Sequence, residues 1–202
     1  MRILFAILFL LPGLCHAMNQ DELVSFIQQA ELAKGFNHSE HRISIFVKAF
    51  YVTVNKLVQQ GNAITLESLG RFNPRESYDG YCRNPRNPYA LPFPCIRWRS
   101  VKRPPVVGHS GFLRAMQVTA PTQQYTDVEI ARHVDVLIKV ITQALVNGDM
   151  VESRGFGTYY IINSYDTSRC GNPSAQFPKF RPSPFFIYGT FFAAPELKAA
   201  VN

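Results

Sequence analysis

The densest concentration of chemically capable side chains lies in residues 78–102. There Arg83, Arg86, Arg97 and Arg99 alternate with Pro85, Pro88, Pro92 and Pro94 and with the rings of Tyr81, Tyr89, Phe93 and Trp98. Guanidinium groups at this density suit phosphate, which they bind through charge-assisted hydrogen bonds. Proline removes backbone donors, so such a run belongs on an edge or a projecting ribbon and not in a globular core. Lys102 and Arg103 follow it, Arg71 and Arg75 precede it, and all four are assigned to the same polyanion-binding set. A shorter downstream segment carries Arg169, Lys179 and Arg181. Catalytic chemistry finds no comparable grouping. His38, His41, His109 and His133 are scattered, and the nearest pair is three apart at a helix start, where exposure is the usual reason. Asp and Glu sit mainly at helix caps, with Asp79 and Asp166 at the bases of the two segments. No acid, base and nucleophile come together, so an enzyme is not expected and no cofactor is implied. Cys15, Cys82, Cys95 and Cys170 form no CxxC pair, which argues against a metal centre.

The formal charge of +7 favours a polyanionic partner, nucleic acid or an anionic membrane surface, without specifying a fold. With 47% hydrophobic residues in 202, the chain is long enough for two small domains or one body built from two halves.

The elements that must position the basic segments occur twice. Gly61 and Gly148, Gly70 and Gly157, Phe72 and Tyr159, Tyr78 and Tyr165, and Asp79 and Asp166 all share an offset of 87 (148 − 61), and Asn84-Pro85 and Asn172-Pro173 one of 88 (173 − 85). A shared offset with one slip is the mark of a duplicated unit. Asn19-x-x-Glu22 caps a helix through Leu23, Phe26, Ile27 and Ala30 that ends at Gly35. A second helix begins near Ser39, carries Ile43, Phe46, Val47, Phe50, Val54, Leu57 and Val58, and stops at Gly61. Strands over 63–69 and 72–76 flank Gly70-Arg71, and residues 111–116 close the first copy with a short helix. The second copy lacks a clear first helix, so one element is either shared or lost. Its long helix is capped by Thr126-x-x-Glu129, carries Ile130, Val134, Leu137, Ile138, Ile141 and Leu145, and ends at Asn147-Gly148. Strands over 150–154 and 158–163 lead into the second arm-like segment, and a helix over 195–201 closes the chain.

This order resembles the HU/IHF family of bacterial histone-like DNA-binding proteins. The resemblance rests on Arg83-Asn84-Pro85, on Arg154-Gly155-Phe156-Gly157-Thr158-Tyr159, and on the Arg-Pro and Gly that precede a short terminal helix. It covers nearly everything from Met18 to Asn202. It implies an α+β fold of two tandem units (18–118 and 119–202), each with helices, a small antiparallel sheet and a β-ribbon arm. The wide stripes on the two long helices should pack against each other, giving an intramolecular pseudo-dimer. It further implies that Asn84-Pro85 and Asn172-Pro173 lie at the arm tips, where proline wedges into the minor groove and kinks the duplex, as is known for HU and IHF. Arg83, Arg86, Arg97, Arg99, Lys102 and Arg103 would then follow the phosphate rails, with salt-sensitive affinity and little sequence preference. Cys82 stands where the family has Gly, and Gly171 where it has Arg, so the second arm has the weaker charge support. The expected partner is double-stranded DNA, with no small-molecule substrate.

Residues 1–17 begin Met1-Arg2, continue as an apolar run and reach Cys15-His16-Ala17, the layout of a secretory signal. Met18-Asn19-Gln20 also looks like the natural start of an HU-type chain. With Met18 as the start, the expected location is the cytoplasmic nucleoid. With a cleaved signal, it is the periplasm or outside the cell, where the body serves as an envelope or protein-interaction module or binds extracellular DNA.

Overall fold

The computed structural model describes residues 17–83, 86–87, 89–163, 176–182 and 189–200. Local signals open and close the long helices. Asn19 Oδ1 accepts from the amides of Asp21 and Glu22, and Glu22 returns a bond to the Asn19 amide at 2.8 Å. That reciprocal cap starts α1 (Gln20–Leu32). Ser39 caps α2 (Glu40–Gln59), and Thr126 with Glu129 forms the same reciprocal cap on α4 (Asp127–Val146). Gly61 and Gly148 follow α2 and α4 at φ +85° and +87°, a left-handed conformation that ends a helix at little cost only for glycine.

Two sheets complete an α+β architecture. One has the order β1 (Ala17–Met18), β6 (Met150–Ser153), β7 (Gly157–Asn163), β8 (Gln176–Pro182). The other runs β4 (Phe93–Ser100), β3 (Gly70–Cys82), β2 (Ala63–Leu66), β5 (Val106–Val107), with β9 (Gly189–Ala193) also paired to β3. The short strands pair with strands far away in the chain. β1 runs parallel to β6 with Ala17 opposite Met150, and β5 runs parallel to β2 with Ala63 opposite Val106. Each is followed directly by a helix, β1 by α1 and β5 by α3 (His109–Gln117). The helix expected over 111–116 is this α3, which begins two residues earlier. Its signal in the sequence is weak because it is short, has no side-chain cap at Gly108 and buries only Phe112 and Met116.

A third long-range pairing corrects the expected start of a strand. β3 begins at Gly70, not Phe72, and continues to Cys82, because β9 pairs with its inner residues from Gly70 opposite Ala193 to Pro74 opposite Gly189. Gly70 has φ +150°, and a Cβ there would lie 2.3 Å from the Phe192 carbonyl oxygen and 2.7 Å from the Phe191 ring. Only glycine lets β9 approach this closely. Pro74 marks the change of neighbour. Its carbonyl accepts from the Val101 amide at 3.0 Å, and beyond it β3 pairs with β4.

The helices and both sheets empty into one core. Ile43, Phe46, Val47, Phe50 and Val54 of α2 and Ile130, Val134, Leu137 and Ile141 of α4 are all buried in it. The two stripes touch directly near their amino ends, where the Phe46 and His133 rings are 4.9 Å apart and Arg42 meets Glu129 at 3.1 Å. α1 packs against both long helices. Phe156 stacks on Tyr51 of α2 at 4.4 Å and meets Phe72 of the other sheet at 5.7 Å. Each fully buried large side chain contributes about 1.5–3 kcal/mol relative to exposure. After α5 (Pro195–Ala200) buries Leu197, the described chain ends.

Candidate nucleic-acid interface

Beyond Pro74 the outer part of β3 has β4 as its partner, from Arg75 opposite Ser100 to Cys82 opposite Phe93. Residues directly opposite in an antiparallel pair share a face, and faces alternate along the strand. One face therefore carries Glu76 with Arg99, Tyr78 with Arg97, Gly80 with Cys95, and Cys82 with Phe93. The other carries Ser77 with Trp98, Asp79 with Ile96, and Tyr81 with Pro94. The first face thus carries Arg97 and Arg99 with Glu76, and the second carries Trp98, Ile96, Tyr81 and Pro94 beside Asp79, with Arg75 opposite Ser100 at its root. Arg97 and Arg99 hold their guanidinium carbons 6.0 and 5.2 Å from the centre of the Tyr78 ring. Arg99 also bonds Glu76 at 2.8 Å, a pair in which both side chains are exposed. A Cβ at position 80 would come within 2.7 Å of Arg97 Cδ, so Gly80 leaves the space in which Arg97 lies.

A disulfide joins Cys82 to Cys95 on the first face, with the Cα atoms 5.8 Å apart. It closes the ribbon at the base of its tip and holds the ends of the segment that carries Arg83 and Arg86. The sequence reading missed this pairing. Two cysteines bracketing a proline-rich tip between two strands are the signal that would have found it. Arg83 and Arg86 are exposed, as are Tyr89 and Leu91. Asn84, Pro85 and Pro88 lie outside the described residues.

The remaining expected contacts divide. Lys102 and Arg103 are exposed in the turn after β4. Arg71 and Arg75 are half-buried and bond within the sheet, Arg71 Nε to Asn73 Oδ1 at 2.7 Å and Arg75 Nη2 to the Trp98 carbonyl at 3.3 Å. They brace the root of the ribbon. In the second arm, β7 and β8 pair with Thr158 opposite Arg181 and Tyr160 opposite Lys179. Arg169, Asn172 and Pro173 lie outside the described residues.

The histidines differ in burial. Exposure was expected of the His38/His41 pair, and His41 is exposed while His38 is half-buried; of the other two, His109 is half-buried and His133 fully buried. His133 lies on the buried stripe three residues after Ile130, a position that could have been read from the sequence. It meets Glu31, also fully buried, with Nδ1 3.9 Å from Oε1. Arg132 Nε donates to the other oxygen, Oε2, at 2.7 Å, and Arg132 Nη2 lies 3.2 Å from His38 Nε2. Burial, opposed by the Glu31 charge, pushes the His133 pKa down to about 4, which keeps the ring neutral near pH 7. Tyr51, buried with its hydroxyl bonded to Ser153, has a pKa pushed well up by desolvation. Neither arrangement places a nucleophile beside a base in an open cleft.

No family model matches the chain, and no curated protein matches it. Among the described residues, no helix is long and apolar enough to cross a membrane.

Proposed function

We propose that the protein is an architectural, non-enzymatic DNA-binding protein of the HU/IHF type, in which one chain plays the part of the family dimer. The observation that carries the reading is the two-stranded ribbon of β3 and β4. It has arginines on one face, exposed cations at its tip and root, and a disulfide beneath the tip. The pairing of β1 with β6 and of β9 with β3, which joins the two expected units, and the common core support the pseudo-dimer. Cations on an extended ribbon suit phosphates better than base edges, so affinity comes mainly from counterion release and sequence preference is small. Pro85 and Pro173 take the wedge role, unstacking a base step at a cost of a few kcal/mol that is offset by wrapping more DNA.

The test is an electrophoretic titration with linear and pre-bent duplexes at two salt concentrations. If about six phosphates are neutralised, the log–log salt slope is near −5. Tighter binding of the pre-bent duplex supports the wedge. A flat salt response, or no shift at micromolar protein in low salt, refutes DNA binding.

A second reading concerns location. A disulfide on an exposed arm persists in an oxidising compartment and is rare in the cytosol. Together with the signal-like residues 1–17, the Cys82–Cys95 bond favours an exported protein over a nucleoid one. Its DNA would then be extracellular, or its partner an envelope protein met by the face that carries Trp98, Ile96 and Tyr81. Cell fractionation with amino-terminal sequencing of the mature chain separates the two locations.

A further inference from the structure

We propose that Glu31, His38 and His133 form a binding site for one zinc-class divalent ion that bridges α1, the α1–α2 loop and α4. The first observation is proximity, since one ligand atom from each residue lies within 4.8 Å of the other two. The second is independent of it. Glu31 Oε1 and both ring nitrogens of His133 are buried and have no hydrogen-bond partner. Buried polar atoms without partners cost on the order of 1–3 kcal/mol each, so a group that satisfies them together is strongly favoured.

The donor chemistry defines the ion. Two imidazole nitrogens and one carboxylate oxygen are borderline ligands that suit zinc, cobalt, nickel or copper, whereas magnesium and calcium prefer all-oxygen sets. Arg132 bonds Glu31 Oε2 and leaves Oε1 pointing at His133, which places Arg132 as the outer partner that orients the carboxylate. Three protein ligands leave a fourth position for water or an exogenous group.

Bond lengths of about 2.0–2.1 Å bring ligand atoms in a tetrahedral site to roughly 3.4 Å apart. Closing from 4.8 Å therefore requires movement of on the order of 1 Å, and His38 is the ligand able to supply it. It sits in the connection between α1 and α2, anchored by Gln28 Nε2 to its carbonyl at 2.9 Å, while Glu31 and His133 are fixed on helices. Arg132 lies with its guanidinium carbon 3.5 Å from the centre of the Phe36 ring and is 16% exposed, so its outer end has a route towards solvent.

The test uses the full untagged chain stripped with a chelator and titrated with Co²⁺ and then Zn²⁺. Expected is one equivalent of Co²⁺ with the visible d–d bands of a tetrahedral N/O site, displaced by Zn²⁺. A rise in Tm on the order of 5 °C should accompany a hundredfold zinc excess over Kd. His38→Gln, on the loop and tolerant of change, should weaken binding by more than the roughly 10–100-fold typical of an outer-shell partner, and Glu31→Gln should do the same. Arg132→Gln should weaken binding by roughly 10–100-fold, because the Glu31 carboxylate loses the outer partner that orients it. His41→Gln and His109→Gln should bind as the parent does. No cobalt spectrum at 100 µM ion (roughly the weakest affinity that counts as a site), or binding that survives His38→Gln and disappears in His41→Gln or His109→Gln, overturns the proposal.

Discussion

Replacing Arg132 with Met tests the energetic logic of the contact between the halves. Glu31 is wholly buried, and its Oε2 accepts from Arg132 Nε at 2.7 Å across a sequence separation of 101 residues. Oε1 has no partner, so loss of the guanidinium strands a buried carboxylate with no cation. His133 is a poor substitute near pH 7, because its burial disfavours the charged ring. Breaking one side of a buried ion pair costs about 3–5 kcal/mol, a large share of the 5–15 kcal/mol by which whole domains are stable. Glu31→Met should cost less, about 1–2 kcal/mol, because Arg132 can carry its charge outward over Phe36. The Glu31→Met/Arg132→Met double variant should recover most of the loss, since an apolar pair of similar volume replaces an ion pair with little net penalty. Urea denaturation with chelator present measures all four proteins, with midpoints shifting and the m value constant. Additive single effects, or an Arg132→Met cost below about 1 kcal/mol, would refute the argument that burial makes this pair interdependent.

Gly70→Ala should destabilise the protein by about 3 kcal/mol or more, because the added methyl meets the Phe192 carbonyl at 2.3 Å and the backbone holds φ +150°. Limited proteolysis should then cut the carboxy-terminal strand first, and protection equal to the parent's would contradict the pairing of β9 with β3. The Cys82→Ser/Cys95→Ser protein should keep its global Tm within a few degrees yet bind DNA on the order of tenfold more weakly, since the tip must then be ordered on binding. Equal affinity of oxidised and reduced protein would show that the staple does not act through the arm. Arg83→Ala with Arg86→Ala should lower the salt slope by about one per lost phosphate contact. Arg99→Ala should do less than Arg97→Ala, because Glu76 already partners Arg99 at 2.8 Å. Salt titration of the variants ranks them, and a larger effect at Arg99 would count against phosphate binding by the face that carries Tyr78.

What could be read from residues alone is what forms within a few positions of itself. Asn19 with Glu22 and Thr126 with Glu129 start their helices wherever the helices later dock, and Gly61 and Gly148 end theirs for the same local reason. The 87-residue offset, 148 − 61, raised the expectation of a duplicated unit, and the proline- and arginine-rich composition of 78–102 marked a ribbon. The start of β3 at Gly70 lay beyond such reasoning, whereas the burial of His133 and the Cys82–Cys95 bond had signals in the helix stripe and in the bracketing cysteines. Two-residue strands such as β1 and β5 carry no periodicity of their own and exist because β6 and β2, far away in the chain, offer them an edge. Glu31 looks like a solvated residue near the end of an amphipathic helix until α4 brings Arg132 and His133 against it. Periodicity says which side of a helix is apolar. Only packing decides what the polar residues on its margin will meet, because a buried charge is tolerated only where another part of the fold supplies its partner.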